Sequence, residues 1–351
     1  MKKIFALLLC VTLILGVFVG CNKDNGSEET NSDNQGNGST EPSSEEQIVM
    51  KFGHGNAVGS PKDLSILYFK DLVEERTKGV VKVEVYPAGQ LGTESEMVES
   101  VKMGTLEAAR MGCFDATATE LMTYTMPFLF KNTEEFQELC KGEIGEKIAE
   151  YTKDVGITTL AIGDAGGFRQ ITNNVRPITS PEDMEGLKIR TPAIDSIVKT
   201  MEAFGANAVS VPYVETYMGL KTGVADGEEN PIVNIGTMKF YEVQKYMTMA
   251  NYQVHPDPVY VNTEWFESLP QDLQDILSEC AKEMMVYSDS LIYDAEDEFM
   301  DEMENSMEIT YLTDEERAEF IEASKVVWQN FIDQGLIQEE HLNAILAELD
   351  K

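Results

Sequence analysis

The chain has 351 residues and carries 27 Lys+Arg against 62 Asp+Glu, a formal net charge of −35. So acidic a molecule is repelled by nucleic acid and by anionic lipid surfaces, and neither is an expected partner. The same field repels small anions at long range, so an anion site here has to be built locally from a few cations.

In chain order, Lys2 and Lys3 precede an apolar run over residues 4–19, which reads as a secretory signal spanning 1–20. That run is too short for a confident membrane-crossing helix. Residues 21–47 are almost all Asn, Gly, Ser, Glu, Asp and Thr, with no aromatic side chain. They bury too little apolar surface to offset the entropy of ordering, so they read as a flexible tether. Val19-Gly20-Cys21 resembles the lipobox of bacterial lipoproteins, whose cysteine is acylated and becomes the new N-terminus; Phe18 departs from the usual aliphatic residue. Cys21 is therefore the expected lipid anchor, holding the body outside the cytoplasm at the cell membrane without crossing it. Cys113, Cys140 and Cys280 are far apart and form no C-x-x-C, and His54, His255 and His341 show no ligand spacing, so neither a metal nor a cofactor is expected.

About 300 residues remain, which suggests two lobes rather than one core. QIVMKFGHG reads as a short strand ending at His54. In the next segment Ser60 is a helix N-cap, Pro61 fits the first helical position, Asp63 stands where a capping box puts its acid, and Gly79 ends the helix. Leu64, Leu67, Tyr68 and Val73 give it an apolar face. VVKVEVYP alternates as a strand, and TESEMVESVKMG is a helix with Thr93 and Glu96 as a second capping box. ITTLAIGDA, GLKIRTP and ANAVSVPY read as further strands with helices between them. Strands alternating with helices predict α/β lobes with largely parallel sheets, whose ligands sit beyond the carboxyl ends of the strands. After Pro270, Leu273, Leu277, Cys280, Met284, Tyr287 and Leu291 recur at three or four residues, and no Gly or further Pro occurs up to residue 304. This predicts a helix of roughly 50 Å, longer than one lobe is wide and expected to span both. Two helices bent near Asp294 are the alternative.

Three of the six arginines, Arg169, Arg176 and Arg190, fall in GFRQITNNVRPITSPEDMEGLKIRTP. Leu187 and Ile189 face one side of the strand there, and Lys188 and Arg190 the other. Thr191-Pro192 ends it, so Arg190 sits at its carboxyl end. A guanidinium at that place can fork onto a carboxylate. On the chemistry alone, a surface salt bridge to one of the many acids fits equally well. Arg176, before Pro177 in a turn, reads as structural. The G-x-G-x-x-x-G spacing of Gly53, Gly55 and Gly59 is not the dinucleotide fingerprint. No G-x-S-x-G or H-E-x-x-H appears, so no enzyme is expected, although a hydrolase using dispersed carboxylates stays open on composition.

That arginine segment resembles the extracytoplasmic solute-binding proteins of TRAP (tripartite ATP-independent periplasmic) transporters. VYPAGQLGTESEMVESVKMGTLEAA, VPYVETYMGLKTGVADGEENPIVNI, FYEVQKYMT and LPQDLQDIL extend the similarity, in order, from about residue 49 to 300. The resemblance implies a periplasmic-binding-protein-like clamshell: two α/β lobes joined by crossing hinge strands and a long spanning helix. It also implies a binding protein that closes on an organic acid and delivers it to membrane permease subunits. Lobe I is expected over 48–165 plus about 256–295, and lobe II over 166–255 plus about 296–351, in a monomer. By the same resemblance Arg190 is the main carboxylate clamp, Arg169 a second arginine, and Asn230 of GEENP a ligand-binding amide. Tyr213 falls where an aromatic lines the pocket, and Glu94 and His54 lie in pocket-forming loops. Glu94 could instead serve the helix N-terminus, and His54 strand-end packing. Two arginines with Glu94 and His54 suit a sugar acid such as a uronate better than a C4-dicarboxylate, which could use the arginines for its two ends. An ABC-type binding lipoprotein of similar architecture is the alternative reading.

Overall fold

The structure, a computed structural model, describes residues 47–349 apart from 113–116 and 118. The expected signal, Cys21, Cys113 and the tether up to residue 46 lie outside the described residues. The body opens with β1 (Ile48–Gly53), α1 (Pro61–Arg76), β2 (Val81–Tyr86), α2 (Glu94–Lys102) and β3 (Ala108–Arg110). Helices α3 (Thr133–Lys141) and α4 (Glu143–Glu150) lead to β4 (Ile157–Asp164). Then come β5 (Arg169–Asn173), β6 (Lys188–Thr191), α5 (Asp195–Ala203), β7 (Asn207–Ser210), α6 (Thr216–Thr222), β8 (Gly227–Pro231), α7 (Ile232–Thr237) and β9 (Tyr246–Met249). They are followed by β10 (Pro256–Asn262), α8 (Thr263–Ser268), α9 (Gln271–Ser306), β11 (Glu308–Tyr311), α10 (Asp314–Asp333) and α11 (Glu339–Leu349).

The strands form a five-stranded sheet, β2-β1-β3-β10-β4, and a six-stranded sheet, β11-β9-β5-β8-β6-β7. Each carries helices, giving two α/β lobes. The expectation of largely parallel sheets needs correction. Strand β10 runs antiparallel to β3 and β4, and β5 runs antiparallel to β8 and β9. The links over 165–168 and 250–255 are too short to carry the chain back to the far end of a sheet, as a parallel crossover requires. A strand entering where its predecessor left must run the opposite way, and Pro256 of β10 pairs with Asp164 of β4 at that junction. In the first link Gly166 and Gly167 have φ of +138° and +95°, values that side chains with a Cβ rarely adopt. Both N–H groups donate to Asp164 Oδ1, at 2.9 and 2.8 Å.

Local sequence sets the helix starts. Thr93 and Glu96 make a reciprocal capping box at α2. Ser60 Oγ accepts from the Asp63 backbone N–H at α1, but the Asp63 carboxyl turns to the Gly59 N–H and to His54 rather than back to Ser60. The buried face of α1 is Ile66, Phe69 and Val73, while Leu64 and Leu67 are each 40% exposed. Both rows have helical spacing, and only the position of the sheet decides which is covered.

Helix α9 runs unbroken for 36 residues, without the bend near Asp294. Its Leu277, Cys280 and Met284 pack with Phe52 and Val83 of the first sheet, and its Met303 packs with Ile232 and Met247 of the second lobe. One helix therefore braces both lobes. Helix α10 does likewise: Phe320 packs on Phe204 and Tyr252, whereas Val327 and Phe331 join Tyr124 and Phe136. Leu342 and Ile345 of α11 belong to that same first-lobe cluster.

Candidate functional site

The carboxyl ends of β4, β6 and β8 meet the amino ends of β5 and β10 at the gap between the sheets. There a cavity of about 40 Å³ is lined by Arg190, Arg169, Asn230, Tyr213 and Glu94, together with Asn56, Lys62, Asn234, His255 and Asp257. An adjoining cavity of about 170 Å³ shares Arg190, Glu94 and Tyr213. A larger hollow of about 470 Å³ lies on the flank of β4 beneath α4 and α9. Its cations are Lys141, Lys153 and Lys282 and none of the six arginines lines it, so of these three cavities only the smaller pair presents guanidinium groups.

Arg190 comes from the end of β6, as strand alternation predicts, and is 2% exposed. Its Nε donates to the Val211 carbonyl at 2.9 Å, and its buried Nη2 has no hydrogen-bond partner. Among the described residues no carboxylate forms an ion pair with it. Burial pulls its pKa down, opposed by Glu229 and Glu228. The Tyr213 ring centroid lies 6.0 Å from its Cζ.

Arg169 is placed differently. Its Nε and Nη2 grip the Glu229 carboxylate, Nη2 at 2.9 Å from Oε1, and Nη2 also reaches the Glu229 carbonyl at 2.9 Å and Asn230 Oδ1 at 3.3 Å. Tyr252 donates to the same carboxylate at 2.6 Å. None of these bonds uses Nη1. The charge of Arg169 is thus met inside the protein. Asn230 is held at both ends, its Nδ2 donating to Glu228 and its Oδ1 accepting from Arg169. Burial pushes the Glu228 carboxyl up to about 7, against the Asn230 hydrogen bond that lowers it.

The other wall belongs to the first lobe. Lys62 bonds Asp257 at 2.9 Å, and Arg110 Nε lies 2.8 Å from the same carboxylate. Burial drives Asp257 upward, but Lys62 and Arg110 together hold it below the usual carboxylate range. His255 Nε2 donates to the Gly112 carbonyl, 2.9 Å away, and burial lowers its pKa to about 3. Asn56 donates to Asn234 Oδ1 at 3.3 Å, a bond between the loop after β1 and helix α7. Glu94 opens α2 and faces both cavities.

Five of the six residues expected at the site therefore line one cavity. His54 does not. Its ring is fully buried behind the lining, with Nε2 3.1 Å from Asp63 Oδ1, and burial followed by Lys62 lowers its pKa to about 4. Strand-end packing, the alternative reading, describes its position. Arg176 is structural, as expected: its Nε and Nη2 donate to the carbonyls of Asp183 and Glu185 at 2.7 and 2.6 Å. Sequence reasoning missed Asn56, Lys62, Asn234, His255 and Asp257. For Lys62 a signal existed, because the Ser60-Pro61 cap sets the α1 start next to a strand end. Nothing in the sequence pairs Lys62 with Asp257, 195 positions away.

A family profile described as bacterial extracellular solute-binding protein, family 7 (DctP), matches residues 52–334. The chain belongs to this family. It is 33% identical over 284 residues to the C4-dicarboxylate-binding periplasmic protein DctP of Rhodobacter capsulatus, covering 79% of this chain and 84% of that protein. It is 29% identical over 276 residues to the 2,3-diketo-L-gulonate-binding periplasmic protein YiaO of Escherichia coli, covering 78% and 84%. The crystal structure of the sugar acid binding protein of Advenella mimigardefordensis in complex with galactonate superposes with a TM-score of 0.82 at 26% identity, covering 87% of this chain and 98% of that one. The fold is thus the two-lobed binding-protein fold of TRAP solute-binding proteins, and the family's members are binding components that take small organic acids. The ABC-type and hydrolase readings are not favoured by these matches.

Proposed function

We propose that this family 7 protein captures one small organic acid through Arg190 and hands it to the membrane subunits of a TRAP-type secondary transporter without altering it. The observation that carries this is the buried Nη2 of Arg190, which has no partner. A buried polar group left unpaired is unfavourable by about 1–3 kcal/mol, more when charged. A ligand carboxylate removes that penalty by supplying charge-assisted hydrogen bonds in a site shielded from water.

We assign the ligand to the sugar acids, such as a uronate, ahead of the C4-dicarboxylates. Arg190 supplies the carboxylate contact, while Arg169, Lys62 and Arg110 are already bonded to Glu229 or Asp257. Asn56, Asn230, Asn234, Tyr213 and Glu94 add neutral and acidic groups suited to hydroxyls. Relatives that bind a C4-dicarboxylate and a diketogulonate are both similar to this chain, so the choice rests on these residues.

In this reading lobe I (48–165 plus about 256–295, with the end of α10 and α11 packed on it) supplies Glu94, lobe II (166–255 plus the end of α9, β11 and the start of α10) supplies the arginines, and residues 165–168 and 250–255 are the hinge. The Asn56–Asn234 bond then joins the lobes in the closed state. A ligand favours closure only by its difference in affinity for the two states. Cys21 anchors the monomer by lipid outside the cytoplasm. A thermal-shift screen of sugar acids and dicarboxylates tests the function. At least one acid is expected to stabilise the protein and to be recovered unchanged. No stabilisation by any acid, or turnover of the bound one, refutes the reading.

A further inference from the structure

We propose that Glu228 is a positioning residue of the anion site that takes up one proton from solvent when a carboxylate binds Arg190. The inference rests on the binding function proposed above. Glu228 lies on β8 directly opposite Arg190 on β6 in the sheet register, and both side chains are buried. A carboxylate and a guanidinium so placed should close an ion pair. They do not. The Glu228 carboxyl is met by two neutral donors, Thr172 Oγ1 at 2.9 Å and Asn230 Nδ2 at 2.5 Å. Arg190 uses Nε on a backbone carbonyl and leaves Nη2 unpartnered. The carboxyl thus lacks the ion pair that would hold it firmly ionised, and only these two hydrogen bonds and the unpaired Arg190 charge favour its charged form against burial.

The surrounding charges point the same way. On β8, Glu229 is a second acid next in sequence, itself paired with Arg169 of β5 and hydrogen-bonded by Tyr252. From β5, Thr172 is further bonded to Gln244, which brings no charge. Across the cavity stand Tyr213 and the acid Glu94. Burial and Glu229 raise the proton affinity of Glu228 to about 7, while Asn230, Thr172 and Arg190 oppose them. A ligand carboxylate seated on Arg190 adds another negative charge and draws on the same guanidinium. Two acids sharing a site cannot both stay ionised at low cost, and the weaker acid takes the proton. The ligand, an ordinary carboxylic acid, stays ionised, so Glu228 is protonated. Because Asn230 spans Glu228 and Arg169, the proton also fixes the amide that lines the cavity.

The balance is one proton gained per ligand bound above about pH 7, and none below it. Affinity should then be level below pH 7 and fall by up to about tenfold per pH unit above it. His54 and His255, at about 4 and 3, are neutral throughout this range, and Asp164, at about 6, titrates below it.

The test compares wild type with Glu228→Gln. Without ligand, the folded-state shift of Glu228 is upward, so wild type should lose stability relative to the variant as pH rises from about 4.5 to 7, then run level. A constant difference in unfolding temperature across pH 4.5–8.5 shows that Glu228 does not titrate there and overturns the proposal. With sodium D-galactonate, D-galacturonate and succinate as probes, calorimetry from pH 6 to 8.5 in buffers of different ionisation enthalpy reads affinity and proton uptake together. Wild type should show the fall and the uptake, and the variant neither. A pH-independent wild type, or a variant with the same fall, overturns the linkage while leaving the binding function standing. If no acid binds at all, the proposed function fails and the linkage with it.

Discussion

Replacing Arg190 separates its role in binding from any role in stability, because the two effects have opposite signs. The side chain is 2% exposed, so solvent screens little of its interaction with a bound acid. Its one hydrogen bond among the described residues, to the Val211 carbonyl, is present without ligand and cancels from the binding free energy. What Arg190→Ala removes on binding is the charge-assisted contact to the ligand, about 2–5 kcal/mol, or roughly a 30- to several-thousand-fold loss of affinity. In the ligand-free protein the same guanidinium is a buried charge without a carboxylate. Arg190→Met keeps most of the volume and removes that charge, so it should be at least as stable as wild type. At a ligand concentration of about 100 Kd, wild type gains about 2.7 kcal/mol. For a body of about 300 residues that raises the unfolding temperature by about 5 °C. Both variants should show under about 2 °C at the same concentration. Titration calorimetry and thermal unfolding measure the two halves. Affinity within threefold of wild type, or a ligand-free Arg190→Met protein weakened by several kcal/mol, would refute the clamp and make Arg190 structural.

Glu229→Gln leaves the buried Arg169 guanidinium without its carboxylate and should destabilise the fold by about 3–5 kcal/mol. Urea unfolding checks this, and a change below about 1 kcal/mol would show that Arg169 finds other compensation. Asp164 is a buried carboxyl that burial raises to about 6, so its neutral form is favoured in the folded state. Wild type should therefore lose about 2 kcal/mol between pH 4 and 6 relative to Asp164→Asn, which keeps an acceptor for the Gly166 and Gly167 N–H groups. Parallel unfolding curves over that range count against it. Cys21→Ser should move the protein from the membrane fraction to the soluble extracytoplasmic fraction, and an unchanged distribution on cell fractionation removes the lipid anchor.

Features that depend on neighbours three or four positions apart could be read directly from the chain. The Thr93–Glu96 capping box, the Ser60 cap, the Arg176 turn and the 36-residue α9 were all legible, because hydrogen bonds and apolar spacing within one element fix them. So was the location of Arg190 at a strand's carboxyl end, which follows from alternation and a terminating proline. Which acids meet which cations was set by how the chain folds back on itself. Arg169 closes on Glu229 across 60 positions and Lys62 on Asp257 across 195, while Arg190 is left over. With 62 acids in the chain, composition offers every arginine a partner, and nothing local selects one. The same holds for the reversed β5 and β10 and for His54, turned to Asp63 rather than the cavity. Strand direction and side-chain partners of this kind arise when distant segments are brought together, so they carry no signature within a window of a few residues.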